Sequence, residues 1–126
     1  MRGPRDEDLS ALLETLLAKG RDIAARRGLT FAAEQFYGIR ATACDAGLQH
    51  RLNQSVLHLQ GQAMSLPSGA GHDAIAIAEC WPVGMLFVRC KDGISHHPDE
   101  SVTTGDVAYA VQAYINTVLS FKEGHL

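Results

Sequence analysis

Apolar residues recur at helical spacing in three stretches of this chain. Leu9, Leu12, Leu13, Leu16 and Leu17 follow one face of a helix that Asp6, Glu7 and Asp8 open and that Gly28 closes behind Arg26 and Arg27. Gly20, inside that helix, costs about 1 kcal/mol relative to alanine and marks a place where it can bend. A second helix opens at Asp45 and carries Leu48, Leu52, Val56 and Leu59 at four- and three-residue steps. In the third, Thr103 or Thr104 is the cap, Asp106 lies in the first turn, and Val107, Ala110, Val111, Tyr114, Ile115, Val118 and Leu119 form a continuous stripe. Between the helices the pattern changes. Residues 29–37 predict a strand and residues 64–66 a shorter one, while Val83-Gly84-Met85-Leu86-Phe87-Val88 is apolar without interruption, as in a strand buried on both faces. This alternation predicts an α/β protein. Residues 38–44 have little periodicity and join two structural units.

Two histidine-bearing turns flank the most apolar stretch. In Ser68-Gly69-Ala70-Gly71-His72-Asp73-Ala74, small residues precede His72, and Asp73 sits where a helix begins before Ile75, Ala76, Ile77 and Ala78. Glycines there let backbone N–H groups approach a ligand, and a helix N-terminus favours an anion or a polarised carbonyl oxygen. In Gly93-Ile94-Ser95-His96-His97-Pro98-Asp99-Glu100, Gly93 and Pro98 bracket Ser95, His96 and His97. Polar loops after strand ends are where α/β proteins place their ligands.

These two motifs, with the intervening Pro-Val-Gly-Met-Leu-Phe-Val, resemble the C-terminal portion of the allantoate amidohydrolase, N-carbamoyl-L-amino-acid hydrolase and β-ureidopropionase family of two-metal amidohydrolases, which is related to aminoacylases and zinc carboxypeptidases. The likeness extends to residues 23–30 and to Ala43-Cys44-Asp45. It implies a partial two-layer or three-layer α/β sandwich. Residues 1–40 would be the last helix and strand of an inserted ferredoxin-like dimerisation domain, and residues 44–126 the C-terminal part of the catalytic domain. By the same resemblance, two divalent ions (Zn, Mn, Co or Ni) acidify a bridging water, a glutamate takes its proton, and the hydroxide attacks a ureido or carbamoyl carbon.

Residue by residue, the resemblance makes His96 a metal ligand and places Gly71 and His72 against substrate near the scissile group. Arg2 would be the arginine that clamps the substrate carboxylate, a role suited to a bidentate guanidinium. His97 is a neighbour of the ligand, since adjacent loop side chains rarely converge on one ion. Asp92 stands where relatives often have a second glycine, and Ser101 where they often have an aromatic residue or histidine. Asp99 and Glu100 are expected to be solvated or bonded within the loop. The general-base glutamate and the other ligand motifs are not found in the 126 residues. The family's members are about three times longer, so the chain is expected to need self-association or an N-terminal part, and to have little activity alone. The competing expectation is a noncatalytic truncated fragment or interaction module.

Charge and composition narrow the partners. A net charge of −3 with mixed signs argues against a nucleic-acid footprint, which needs a basic stripe. No run approaches a membrane span, and the first residues lack the apolar core of a signal peptide. Cys44, Cys80 and Cys90 are odd in number and lack CxxC spacing, so they read as reduced thiols of a cytoplasmic protein.

Overall fold

The computed structural model describes residues 1 and 3–121, which divide into two compact units. The first comprises Met1–Ala43 and Pro67–Gly71; the second comprises Cys44–Leu66 and His72–Leu126.

In the first unit, α1 (Asp6–Arg26) carries Asp6, Glu7 and Asp8 in its first turn, where carboxylates oppose the positive end of the helix dipole. It ends as Gly28 requires. With φ at 65°, Gly28 turns the chain back, so that the Leu29 N–H reaches the Ala24 carbonyl (2.9 Å) and the Gly28 N–H reaches that of Ala25 (3.3 Å). The helix is unbroken at Gly20, whose real function is packing: a Cβ there would lie 2.6 Å from Phe31 Cε2. The segment after Gly28 thus folds back over α1, and the Ala41 N–H donates to Asp6 Oδ1 at 2.8 Å. Ala24 is the buried apolar residue of this unit; Leu9, Leu13 and Leu17 are half-buried and Leu12 and Leu16 exposed.

In the second unit, α2 (Ala46–Gln60) begins at Asp45, whose Oδ1 accepts the Leu48 N–H at 2.8 Å, a cap worth about 1 kcal/mol. It ends at left-handed Gly61. A single turn, α3 (Ala74–Ile77), follows Asp73, which makes no side-chain cap. The last helix, α4 (Thr104–Leu119), starts at Thr103, which accepts the Asp106 N–H at 3.0 Å. Helices α2 and α4 pack through small residues. Ser55, Ala113 and Thr117 are buried, and the Thr117 hydroxyl lies 2.9 Å from Ser55 Oγ and 2.8 Å from the Ala113 carbonyl. Each hydroxyl has one proton, so the arrangement that satisfies both contacts has Ser55 donating to Thr117 and Thr117 to Ala113. Arg51 then reaches the C-terminus of α4, donating to the Ser120 carbonyl at 2.9 Å while its guanidinium stacks 4.5 Å from the Phe121 ring centroid. A cation at a helix C-terminus is stabilising there.

The expected α/β sandwich is not what forms. Among the described residues there is no strand, so neither the ferredoxin-like element nor the catalytic sheet is present. Residues 29–37, 64–66 and 83–88 are non-helical without a ladder. A strand is defined by its partner, whereas a helix satisfies its own backbone. The start of the third run instead lies on α2: Val83 is buried and its carbonyl accepts the Asp45 N–H at 2.7 Å, while Gly84 passes so close that a Cβ would be 3.1 Å from Leu48 Cβ; Phe87 and Val88 are exposed. The α4 stripe also corrects the sequence reading. Val107, Val111, Tyr114, Ile115, Val118 and Leu119 are all exposed, Leu119 at 77%, because the helix buries its small face.

The Gly20–Phe31 contact gives a test by double-mutant cycle in urea. Gly20→Ala should stabilise a Phe31→Ala background by about 1 kcal/mol through helix propensity, but give little in the parent, where the ring must move. A purely additive cycle would refute the contact.

Candidate functional site

The residues bearing on chemistry in the second unit are held by the segment that leaves residues 83–88 and enters α4. Arg89 Nε donates to Asp106 Oδ1 at 2.9 Å, and Thr103 Oγ1 donates to Asp106 Oδ2 at 2.6 Å. Two residues on, the Lys91 N–H donates to the Ser101 carbonyl at 2.8 Å. These bonds tie the two ends of a loop, residues 91–101, beside an open hollow of about 490 Å³ lined by Arg89, Cys90, Lys91, Ser101, Thr103 and Asp106. Sequence reasoning offered Thr103 or Thr104 as the cap and placed Asp106 in the first turn, but missed that Asp106 also binds Arg89. The signal was a cation directly after the apolar run. The Thr103 hydroxyl, and after it the Arg89 guanidinium, hold the Asp106 carboxyl below its usual range against the opposing effect of desolvation.

Inside the loop the backbone takes two left-handed steps at non-glycine residues. Asp92 has φ 56° within the 3₁₀ turn Lys91–Gly93, and His96 has φ 57°. Such values are uncommon outside glycine, although Asp and His tolerate them better than most. Beyond His96 the loop closes on itself: the Glu100 N–H donates to the His97 carbonyl (2.9 Å), the Asp99 N–H to His97 Nδ1 (3.2 Å), and the His96 N–H to Glu100 Oε2 (2.8 Å). Asp99 and Glu100 therefore serve the loop, as expected of them.

The sequence-predicted site residues lie on different segments of the chain. His96 is exposed in the loop, and His72 is exposed before α3, with its carbonyl accepting the Ile75 N–H at 2.9 Å. Gly71 is exposed and falls to the other compact unit. Neither Gly69 nor Gly71 has a positive φ, and a Cβ at either would meet nothing within 4 Å. At four residues, α3 is too short to supply the anion-favouring helix end that the sequence suggested. Arg2 lies outside the described residues. Among the described residues, no three His, Cys, Asp or Glu side chains form a group that could hold a metal ion.

Comparison with known proteins adds what this geometry lacks. The profile of Peptidase family M20/M25/M40 matches residues 7–120. A probable allantoate deiminase of Oryza sativa subsp. japonica is 44% identical over 98 residues, covering 69% of this chain and 20% of that protein. The allantoate deiminase of Arabidopsis thaliana is 37% identical over 129 residues, covering 96% of this chain and 24% of that protein. An N-carbamoyl-L-amino-acid amidohydrolase of Pseudomonas sp. is 32% identical over 113 residues, covering 90% of this chain and 27% of that protein. The chain spans between a fifth and just over a quarter of the length of these relatives. No solved structure matches the chain significantly.

Two outcomes follow from the loop and its clamp. Asp92→Gly should raise thermal stability by roughly 0.5–1 kcal/mol, because glycine carries no penalty at φ 56°. A loss of stability would show that the Asp92 side chain has another function. For Asp106 the lowered pKa means stabilisation that is complete above the ordinary aspartate value of about 3.9 and is lost as pH falls through the lowered value. Asp106→Asn should flatten the acid limb of a stability-against-pH curve, measured by circular dichroism, while lowering stability near neutrality.

Proposed function

Because the chain belongs to peptidase family M20/M25/M40, we propose that it is one part of a metal-dependent amidohydrolase that cleaves linear C–N bonds in ureido or carbamoyl compounds such as allantoate or N-carbamoyl amino acids. The observation that carries this reading is the agreement of both kinds of relative, allantoate deiminases and N-carbamoyl-L-amino-acid amidohydrolases, over 90% or more of the chain in several cases. In this reading His96 is one metal ligand, Gly71 and His72 form part of the substrate wall, and Arg2 binds a substrate carboxylate.

At His96, Gly71 and His72 the exposure and chemistry of the residues support these roles. His96 is an exposed imidazole, chemically suited to Zn, Mn, Co or Ni. A stable site needs three or four donors, however, and the described residues do not fit a metal by themselves. The remaining ligands and the general base would come from polypeptide outside these 126 residues. What this chain would contribute is an imidazole on a loop closed at its neck, and a glycine turn where a Cβ on Gly69 or Gly71 would meet nothing within 4 Å. With substrate there, a Gly71 N–H and the His72 imidazole would orient the carbonyl oxygen and stabilise charge building on it.

The division near Ala43 and Cys44, although Pro67–Gly71 falls with the first unit, supports reading residues 1–40 as the end of an inserted lid or dimerisation domain and residues 44–126 as part of the catalytic domain. Exposed Val111, Tyr114, Val118 and Leu119 on α4 support the need for a covering partner, either a second copy or the N-terminal part of the enzyme. Free thiols at Cys44, Cys80 and Cys90 fit a cytoplasmic setting. Among the described residues, no helix is long and apolar enough to cross a membrane. The second reading, a noncatalytic interaction module, is favoured by the same exposed α4 face.

Reconstitution separates the two. The chain alone should release no ammonia from allantoate or N-carbamoyl amino acids with added Mn²⁺, Co²⁺ or Zn²⁺. Co-expressed with the upstream part of an allantoate deiminase relative, it should give turnover. In that complex His96→Ala should lose one metal by mass spectrometry and most activity, whereas His72→Ala should keep both metals and slow kcat by about 10²–10³-fold. An inactive complex that folds and fails to bind metal would favour the module.

A further inference from the structure

The loop that carries His96 contains a bond whose partners do not follow from its being a loop. A turn closed by the Glu100 N–H on the His97 carbonyl brings residue 100 back to residue 96, and the Glu100 carboxylate accepts the His96 amide N–H at 2.8 Å. His96 is also one of two described non-glycine residues with positive φ. The other, Asp92, is followed by left-handed Gly93 in a 3₁₀ turn and has no such side-chain acceptor on its amide. Outside glycine the left-handed region carries a steric cost, and something in the surroundings that holds the residue there offsets it. At His96 that something is a charge-assisted hydrogen bond from a residue four positions on.

We propose that Glu100 is the positioning residue for His96: its carboxylate captures the His96 amide and holds that residue left-handed, so that the imidazole stands exposed on the loop in one fixed backbone setting. The inference rests on the functional reading of His96 given above, but only for its significance. The geometry itself is a property of this chain. Glu100 acts through the His96 backbone and touches neither ligand nor substrate. Because the bond is made to the amide, it leaves both imidazole nitrogens available. The Thr103–Asp106–Arg89 contacts and the Lys91 to Ser101 bond anchor the loop ends independently of Glu100. Removing the carboxylate should therefore release residue 96 without opening the neck.

Nuclear magnetic resonance on the isotopically labelled chain tests this directly. The observables are the His96 φ, from its three-bond HN–Hα coupling and Cβ shift, and the shifts of the Lys91 and Ser101 amides as a control for the neck. In the parent, His96 should report a dominant left-handed conformer. Glu100→Ala should reduce that conformer by about tenfold relative to extended ones while the Lys91 and Ser101 signals stay in place. Glu100→Gln keeps an acceptor oxygen and should restore most of it.

Positive φ at His96 that persists in Glu100→Ala would overturn the proposal. So would a Glu100→Ala variant in which the neck signals move together with His96, since Glu100 would then be a general support of the loop. Failure of either kind leaves the metal-ligand reading standing, because that reading is judged by metal content and turnover of the reconstituted enzyme. Conversely, a His96 shown not to bind metal would leave the conformational result intact.

Discussion

Close approach of α2 and α4 is the constraint on which the second unit depends. Three small buried residues, Ser55, Ala113 and Thr117, let the helices meet where larger side chains would hold them apart, and the shared hydroxyl pair leaves no buried side-chain donor or acceptor unsatisfied among the described residues. Fixing α4 on α2 fixes both of its ends. At one end Arg51 meets the last carbonyls; at the other Thr103 and Asp106 set the cap to which Arg89 is tied. A bulkier residue at Ala113 would therefore be felt not only in the helix pair but at the neck of the His96 loop.

That dependence explains why the unit can hold an ordered loop on so small a core. Its buried apolar residues are Leu52, Val83 and Ala113, which alone cannot supply much hydrophobic stabilisation. The loop is defined instead by backbone hydrogen bonds and short polar side chains. Polar closure is cheap in chain entropy when the bonded residues are near in sequence, as 97 and 100 or 103 and 106 are.

The helices were legible because their determinants are local. Asp45 with Leu48, and Thr103 with Asp106, are cap pairs three residues apart, and Gly28 and Gly61 mark left-handed exits. Strands were misread because unbroken apolarity at residues 83–88 does not say what will meet the segment; α2 meets Val83 and Gly84, Phe87 and Val88 stay exposed, and no ladder forms. The α4 stripe misled for a related reason. Its large residues dominate any hydrophobic count, yet Ala113 and Thr117 decide the face that packs, since close approach rewards small volume. Of the candidate site, the histidine turns and their family resemblance were readable. The left-handed setting of His96 and the capture of its amide by Glu100 were not, because nothing in residue spacing reveals a sign of φ.

The closed neck has a kinetic side as well. Lys91 and Ser101 are ten positions apart, and loops of that size close in roughly 10–100 ns in an unfolded chain. Helix docking and subunit assembly are far slower, reaching milliseconds or longer. The His96 turn can thus sample its final shape many times before any slower partner arrives, so its order of formation need not wait for the surface that it will eventually face.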